Sequence, residues 1–145
     1  MMISTKGRYA LRVMIDLATY SNGEYITLKA ISKREGISVK YLEQVISLLN
    51  HAGFLNSLRG NNGGYKLAKS PESITAGDIL RAAEGSLAPI ACLKEEPYGC
   101  ERSATCSTID FWKGYYKVIL NYVDSITLQN LVDHNQEMAG NDYVI

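Results

Sequence analysis

Three cysteines, Cys92, Cys100 and Cys106, are the only thiols in this 145-residue chain, separated by seven and five residues. Thiolates are soft ligands, suited to iron-sulfur clusters or zinc. The two histidines, His51 and His134, lie far off in sequence, which weakens a tetrahedral zinc reading. Spacing alone leaves open a cluster, zinc, and three thiols buried as small hydrophobes. Against the last stands their confinement to one stretch without apolar period, interrupted by Pro89, Pro97 and Gly99. An odd thiol count speaks against a disulfide framework.

A second set of residues has the chemistry of duplex recognition. Leu42, Val45, Ile46 and Leu49 fall at i, i+3, i+4 and i+7, so one stripe of a helix is apolar. Lys40, Glu43, Gln44 and Ser47 then face outward, and Tyr41 joins them as a candidate contact. Ser38 stands at the N-cap, and Gly53 where a left-handed residue ends a helix. Upstream, Thr27 caps a shorter helix that Gly36 breaks. Two helices joined by a glycine turn make a helix-turn-helix.

Downstream, Leu55–Arg59 and Tyr65–Leu67 flank Gly60, Asn61, Asn62, Gly63 and Gly64, the composition of a hairpin tip. A helix-turn-helix followed by a hairpin is a winged helix. Its outward helix matches the DNA major groove, with Gln44 and Lys40 reaching base edges or phosphates. The wing brings Arg59 to an adjacent minor groove, and the small tip residues let backbone approach phosphate. The alternative is an ordinary helix-turn-helix used for protein contacts. Tip, arginine and polar face occurring together favour DNA.

The elements that hold these residues follow from the rest of the chain. Ala10, Val13, Met14, Leu17 and Ala18 give a first helix over Ser4–Tyr20 a broad buried face. Lys6, Arg8 and Arg12 crowd its first turns against the helix dipole, which points to an external anion such as phosphate, or else to a solvated charged end. Glu24–Ile26 is a candidate third strand beside the wing. Thr75, with Asp78 three residues on, starts another helix that Gly85 closes. A long helix then carries Ile109, Trp112, Tyr116, Ile119, Leu120 and Val123 at three- and four-residue steps. So apolar a helix, after a complete winged helix, calls for cover by a second subunit or by its own domain. Ser125–Leu128 begins a short last helix, and the tail after Met138 is poorly patterned.

The expected fold is mainly α with a small β-wing. Residues 1–85 form the winged helix-turn-helix, 86–108 a cysteine-bearing sensor loop, and 109–145 a dimerisation helix and C-terminal segment. Net charge is zero but divided: residues 1–70 hold ten Lys/Arg and four Asp/Glu, residues 71–145 five and eleven. No apolar run approaches the ~20 residues that cross a bilayer, and no signal-peptide core opens the chain, so a cytoplasmic protein without membrane contact is expected. No C-x-x-C, nucleotide-binding glycine loop or Ser/His/Asp triad is present, so no catalytic residues are assigned.

The start Ile3–Ala10, the helix Ile37–Gln44, the wing Arg59–Tyr65 and Ile74–Ile79, with the three-cysteine loop and Trp112, resemble the IscR-type family of bacterial winged-helix repressors, over nearly the whole chain. The resemblance implies a homodimer on a partly palindromic operator. It further implies an iron-sulfur cluster on Cys92, Cys100 and Cys106, a two-iron form favoured over a four-iron one, and a role in iron-sulfur biogenesis. Cluster-binding relatives take their fourth ligand from a histidine three residues after the last cysteine, or from an aspartate near the partner's N-terminus. Here those positions are Ile109 and Arg8, so the fourth ligand is unassigned. Glu43 is implied as a residue that tunes operator choice. A cluster donor or a regulatory protein would be a further partner. Two other functions stand beside this one: a cluster-independent regulator of sulfur or cysteine metabolism acting through thiol chemistry or a partner protein, and a redox or electron-transfer protein.

Overall fold

The chain is described here by a computed structural model covering residues 2–95 and 101–141. Cys100 lies outside the described residues, as do Pro97 and Gly99.

Helical apolar spacing builds α1 (Thr5–Tyr20), which buries Ala10, Val13, Met14 and Leu17. The short α2 (Leu28–Glu35) starts where the Thr27 hydroxyl accepts the Ala30 N–H at 3.1 Å, and stops at Gly36, whose φ of 66° suits glycine. α3 (Val39–His51) starts the same way: Ser38 Oγ accepts the Tyr41 N–H at 3.2 Å. It buries Leu42, Val45, Ile46 and Leu49, the stripe its spacing predicts.

The wing is β1 (Leu55–Leu58) antiparallel to β2 (Gly64–Leu67), in register from Leu55 opposite Leu67 to Leu58 opposite Gly64. The expected third strand is reduced to one bridge, in which Ile26 and Tyr65 exchange both backbone hydrogen bonds at 2.8 Å. It goes no further because Thr27 already turns the chain into α2. The bridge requires Gly64, where a Cβ would lie 2.2 Å from the Ile26 carbonyl oxygen.

In α4 (Ala76–Glu84) the Thr75 hydroxyl accepts the Asp78 N–H and Asp78 accepts the Thr75 N–H, each at 3.0 Å, a full capping box. α5 (Ile109–Ser125) leaves the sensor segment and runs along α4. At their crossing a Cβ on Gly77 would fall 2.0 Å from Asp124 Oδ1, and Arg81 bonds Asp124 at 2.6 Å. α6 (Leu128–Asn141) returns to the core, where Leu128 and Val132 are buried against α1. Its entry is pinned by Ala76 N–H to the Ile126 carbonyl and Leu128 N–H to the Ile74 carbonyl, both 2.8 Å. The helix runs through Met138 to Asn141, beyond the point where pattern fades in the sequence.

One expectation about α5 changes. The stripe read as needing cover is already partly covered, with Ile109 buried and Trp112, Tyr116, Ile119, Leu120 and Val123 half-buried. The uncovered apolar residues are Phe111, Tyr115, Val118 and Tyr122, at i, i+4, i+7 and i+11. The helix is apolar on two faces, and only packing decides which one the chain itself uses.

Candidate nucleic-acid interface

The surface is built from the first turn of α1, the outer face of α3 and the wing. Tyr9 of α1 meets Tyr41 of α3 edge-on, ring centroids 5.3 Å apart. That contact joins the N-terminal halves of α1 and α3, which carry the exposed Lys6 and Arg8 on one helix and the exposed Lys40 on the other. Tyr41 is half-buried, with its ring packed against the core as well as against Tyr9. Lys40, Glu43, Gln44 and Ser47 are exposed, as the period predicts. Ser38 uses an oxygen lone pair for the cap and keeps its hydroxyl proton for an outside acceptor.

In the wing, Arg59, Gly60, Asn61 and Asn62 are exposed, and Gly63 is half-buried. The tip closes through Gly63 N–H to the Gly60 carbonyl at 3.0 Å, with Gly60 at φ 112°. Gly63 is held by sterics as well: a Cβ there would lie 2.2 Å from the Leu58 carbonyl oxygen.

Charge separates the cations into two groups. Arg12 bonds Glu35 at 3.1 Å and also donates to the Glu35 carbonyl oxygen. It is therefore held internally, and the external-anion reading of the α1 cations does not extend to it. Burial raises the Glu35 carboxyl above its ordinary value, against the pull of Arg12. Arg34 grips the buried Asp16 through two bonds of 2.8 Å and lies over the Tyr20 ring at 4.3 Å. Arg81 bridges Asp78 and Asp124. Lys6, Arg8, Lys40 and Arg59, by contrast, are exposed and form no ion pair among the described residues.

Sequence reasoning passed over three exposed residues of the helix-turn-helix. Lys29 and Lys33 are exposed on α2, the helix that in a helix-turn-helix crosses the DNA backbone, and neither has an ion pair among the described residues. Val39, 39% exposed in the first turn of α3, puts an apolar group on a face read as wholly polar. The charge of Lys29 and Lys33 was visible in the sequence, but not their freedom from internal partners.

Cys92 and Cys106 are half-buried, and among the described residues no disulfide joins them. Cys106 Sγ lies 3.5 Å from Thr108 Oγ1, just ahead of α5, and the Thr108 side-chain bond, aided by the backbone N–H of Thr108, lowers its pKa below the ordinary thiol value. The donor type fits a thiolate-bound iron-sulfur cluster, with one thiol already biased toward its ligating form. The described residues contain no ready group of three metal donors. Ile109, at the position of the relatives' histidine ligand, is buried. No helix among the described residues is long and apolar enough to cross a membrane.

A family model, Rrf2, described as an iron-dependent transcriptional regulator, matches residues 3–134. The chain is 38% identical to protein rrf2 of Nitratidesulfovibrio vulgaris, over 91% of this chain and 87% of that protein. Among solved structures, T. potens IscR is similar with a TM-score of 0.75 and 37% identity, over 95% of this chain and 90% of that one. CymR, the global cysteine regulator of B. subtilis, is similar with a TM-score of 0.70 and 39% identity, over 92% and 98%.

Proposed function

The chain belongs to the Rrf2 family of helix-turn-helix transcriptional regulators, and on that premise we propose a cytoplasmic, sequence-specific repressor that binds its operator as a homodimer and reads an iron-sulfur cluster. The observation that carries the DNA-contact assignment is that Lys6, Arg8, Lys40 and Arg59 are exposed and form no ion pair among the described residues, whereas Arg12, Arg34 and Arg81 are each held by a carboxylate. Gln44 and Glu43 read base edges in the major groove, Ser38, Lys40, Lys6 and Arg8 hold phosphates, and Arg59 enters the minor groove with Gly60, Asn61, Asn62 and Gly63 against the backbone.

Residues 1–85 bind DNA, 86–108 sense, and 109–145 contribute the subunit contact through the uncovered face of α5. Two recognition helices then stand about 34 Å apart, one turn of duplex. Cys92, Cys100 and Cys106 hold the cluster, two-iron in preference to four-iron, with a fourth ligand from outside the three thiols. When bound, such a cluster supplies a centre whose charge and integrity respond to oxidants, nitric oxide or iron supply. The protein's own part is to carry that state through the start of α5 to α4 and the DNA-facing helices. A cluster donor or regulatory protein would meet the same segment.

Similarity to CymR favours a second reading, in which the thiols or a partner protein carry the signal without a cluster and the targets belong to sulfur metabolism. Anaerobic purification, with iron and sulfide analysis and footprinting on the protein's own upstream region, separates the two. A coloured protein whose footprint changes when the cluster is removed supports the first reading. A colourless protein that resists reconstitution yet protects the operator supports the second.

A further inference from the structure

Ser4 occupies the N-cap position of α1, yet its side chain makes no capping bond to the helix. Its Oγ instead donates to Glu84 Oε1 at 2.6 Å, and its backbone N–H donates to the same oxygen at 2.8 Å. A carboxylate from the end of α4 therefore stands at the positive end of α1. Gly7 makes the approach possible: a Cβ there would lie 2.5 Å from Glu84 Oε1 and 2.7 Å from Ile3 Cγ2. Lys6 and Arg8 are the residues on either side of Gly7. Thus the anion that the first turn of α1 binds is internal, and its two exposed cations remain available to DNA.

Glu84 is also the last residue of α4. Gly85, at φ 83°, turns the chain directly into the cysteine-bearing segment, and an open cleft at this corner is lined by Met2, Glu84, Gly85, Ser86 and Lys94. The contact joins residues 80 apart in sequence and consists of two charge-assisted hydrogen bonds at the surface. Bonds of that kind are short and directional, yet solvent access makes them cheap to break. Those are the properties of a contact that can be made in one state and lost in another.

We propose that Glu84 is a positioning residue that holds the first turn of α1, with Lys6 and Arg8, in place for the DNA backbone and ties that turn to the cysteine-bearing segment. The proposal rests on the DNA-contact reading given above.

A double-mutant cycle on the full-length protein tests it, with operator affinity measured by fluorescence anisotropy across a salt series. Glu84→Ala weakens operator binding about fivefold and flattens the salt dependence, because two phosphate contacts lose their placement. In a Lys6→Ala/Arg8→Ala background the same change adds little, whereas in an Arg59→Ala background it adds in full. General destabilisation would weaken binding equally in both backgrounds. Ser4→Ala, an exposed change that keeps the backbone bond, reads the same coupling should Glu84→Ala fail to fold. A maleimide adduct on the cysteines shifts wild-type affinity, and the shift shrinks in Glu84→Ala.

Unchanged affinity and salt slope in both Glu84→Ala and Ser4→Ala, or full additivity with the Lys6/Arg8 pair, overturns the positioning role. An equal adduct shift in wild type and Glu84→Ala, or none in either, overturns the tie to the segment. Absence of operator preference in the wild type would overturn the functional reading and this inference together.

Discussion

At the scale of single residues, function is assigned by what each charged group already holds. Arg34 and Asp16 show a cation spent on structure: Asp16 is buried, and its two oxygens are bonded by one guanidinium that also links α1 to α2. Asp16→Ala leaves Arg34 without its partner and removes the link. Urea denaturation is expected to show a loss of about 3 kcal/mol, the lower end for breaking a buried pair because Arg34 is partly solvated. Arg59 and Lys40 are the opposite case. Arg59→Ala is expected to weaken operator binding by roughly 1–3 kcal/mol and relax the A/T preference beside the half-site. Lys40→Ala instead weakens all sequences alike and lowers the salt slope by about one. Anisotropy titrations against operator and scrambled duplexes distinguish the two, and equal loss on both duplexes for Arg59→Ala would exclude the minor-groove assignment.

At the scale of elements, capping decides where helices start and therefore where their faces point. The box at the head of α4 shows this through pH. Burial pushes the Asp78 carboxyl up, but the bonds from the Thr75 backbone and side chain and from Arg81 outweigh it, and its pKa is lowered. A carboxylate depressed in the folded state contributes stability that is present above its ordinary pKa and lost as pH falls through the folded value. Thermal unfolding followed in acid is therefore expected to show a component of the acid loss in that interval, below the ordinary aspartate pKa, that Asp78→Asn removes. Thr75→Ala should cost about 1 kcal/mol at neutral pH through the lost cap. The same logic places the recognition surface, since the Ser38 cap starts α3 and so sets Gln44 outward and Leu42 inward.

At the scale of the whole molecule, the outer face of α5 stands uncovered by the chain itself. Val118 and Tyr122 are 69% and 67% exposed, in line with Phe111 and Tyr115, and a chain that leaves such a row in water carries a surface suited to a second copy. Val118→Glu puts a charge in the middle of that row without touching the core. The wild type is expected to sediment as a dimer and Val118→Glu as a folded monomer, which is expected to lose operator affinity because one half-site binds alone. A wild-type monomer by analytical ultracentrifugation would exclude this arrangement.

The parts of this protein legible in the sequence are those governed by local rules. Thr27, Ser38 and Thr75 cap, Gly36, Gly53 and Gly85 take positive φ, and the α3 stripe is buried as its spacing predicts. Such features depend on residues a few positions apart, so neighbours in the chain suffice to read them. Three matters waited for tertiary structure: which apolar face of α5 the chain covers, which arginines are held by carboxylates, and the reach of Glu84 to Ser4. Each depends on groups distant in sequence that only the packed fold brings within bonding distance. Periodicity says that a face is apolar and composition says that a cation is present; neither says what stands opposite.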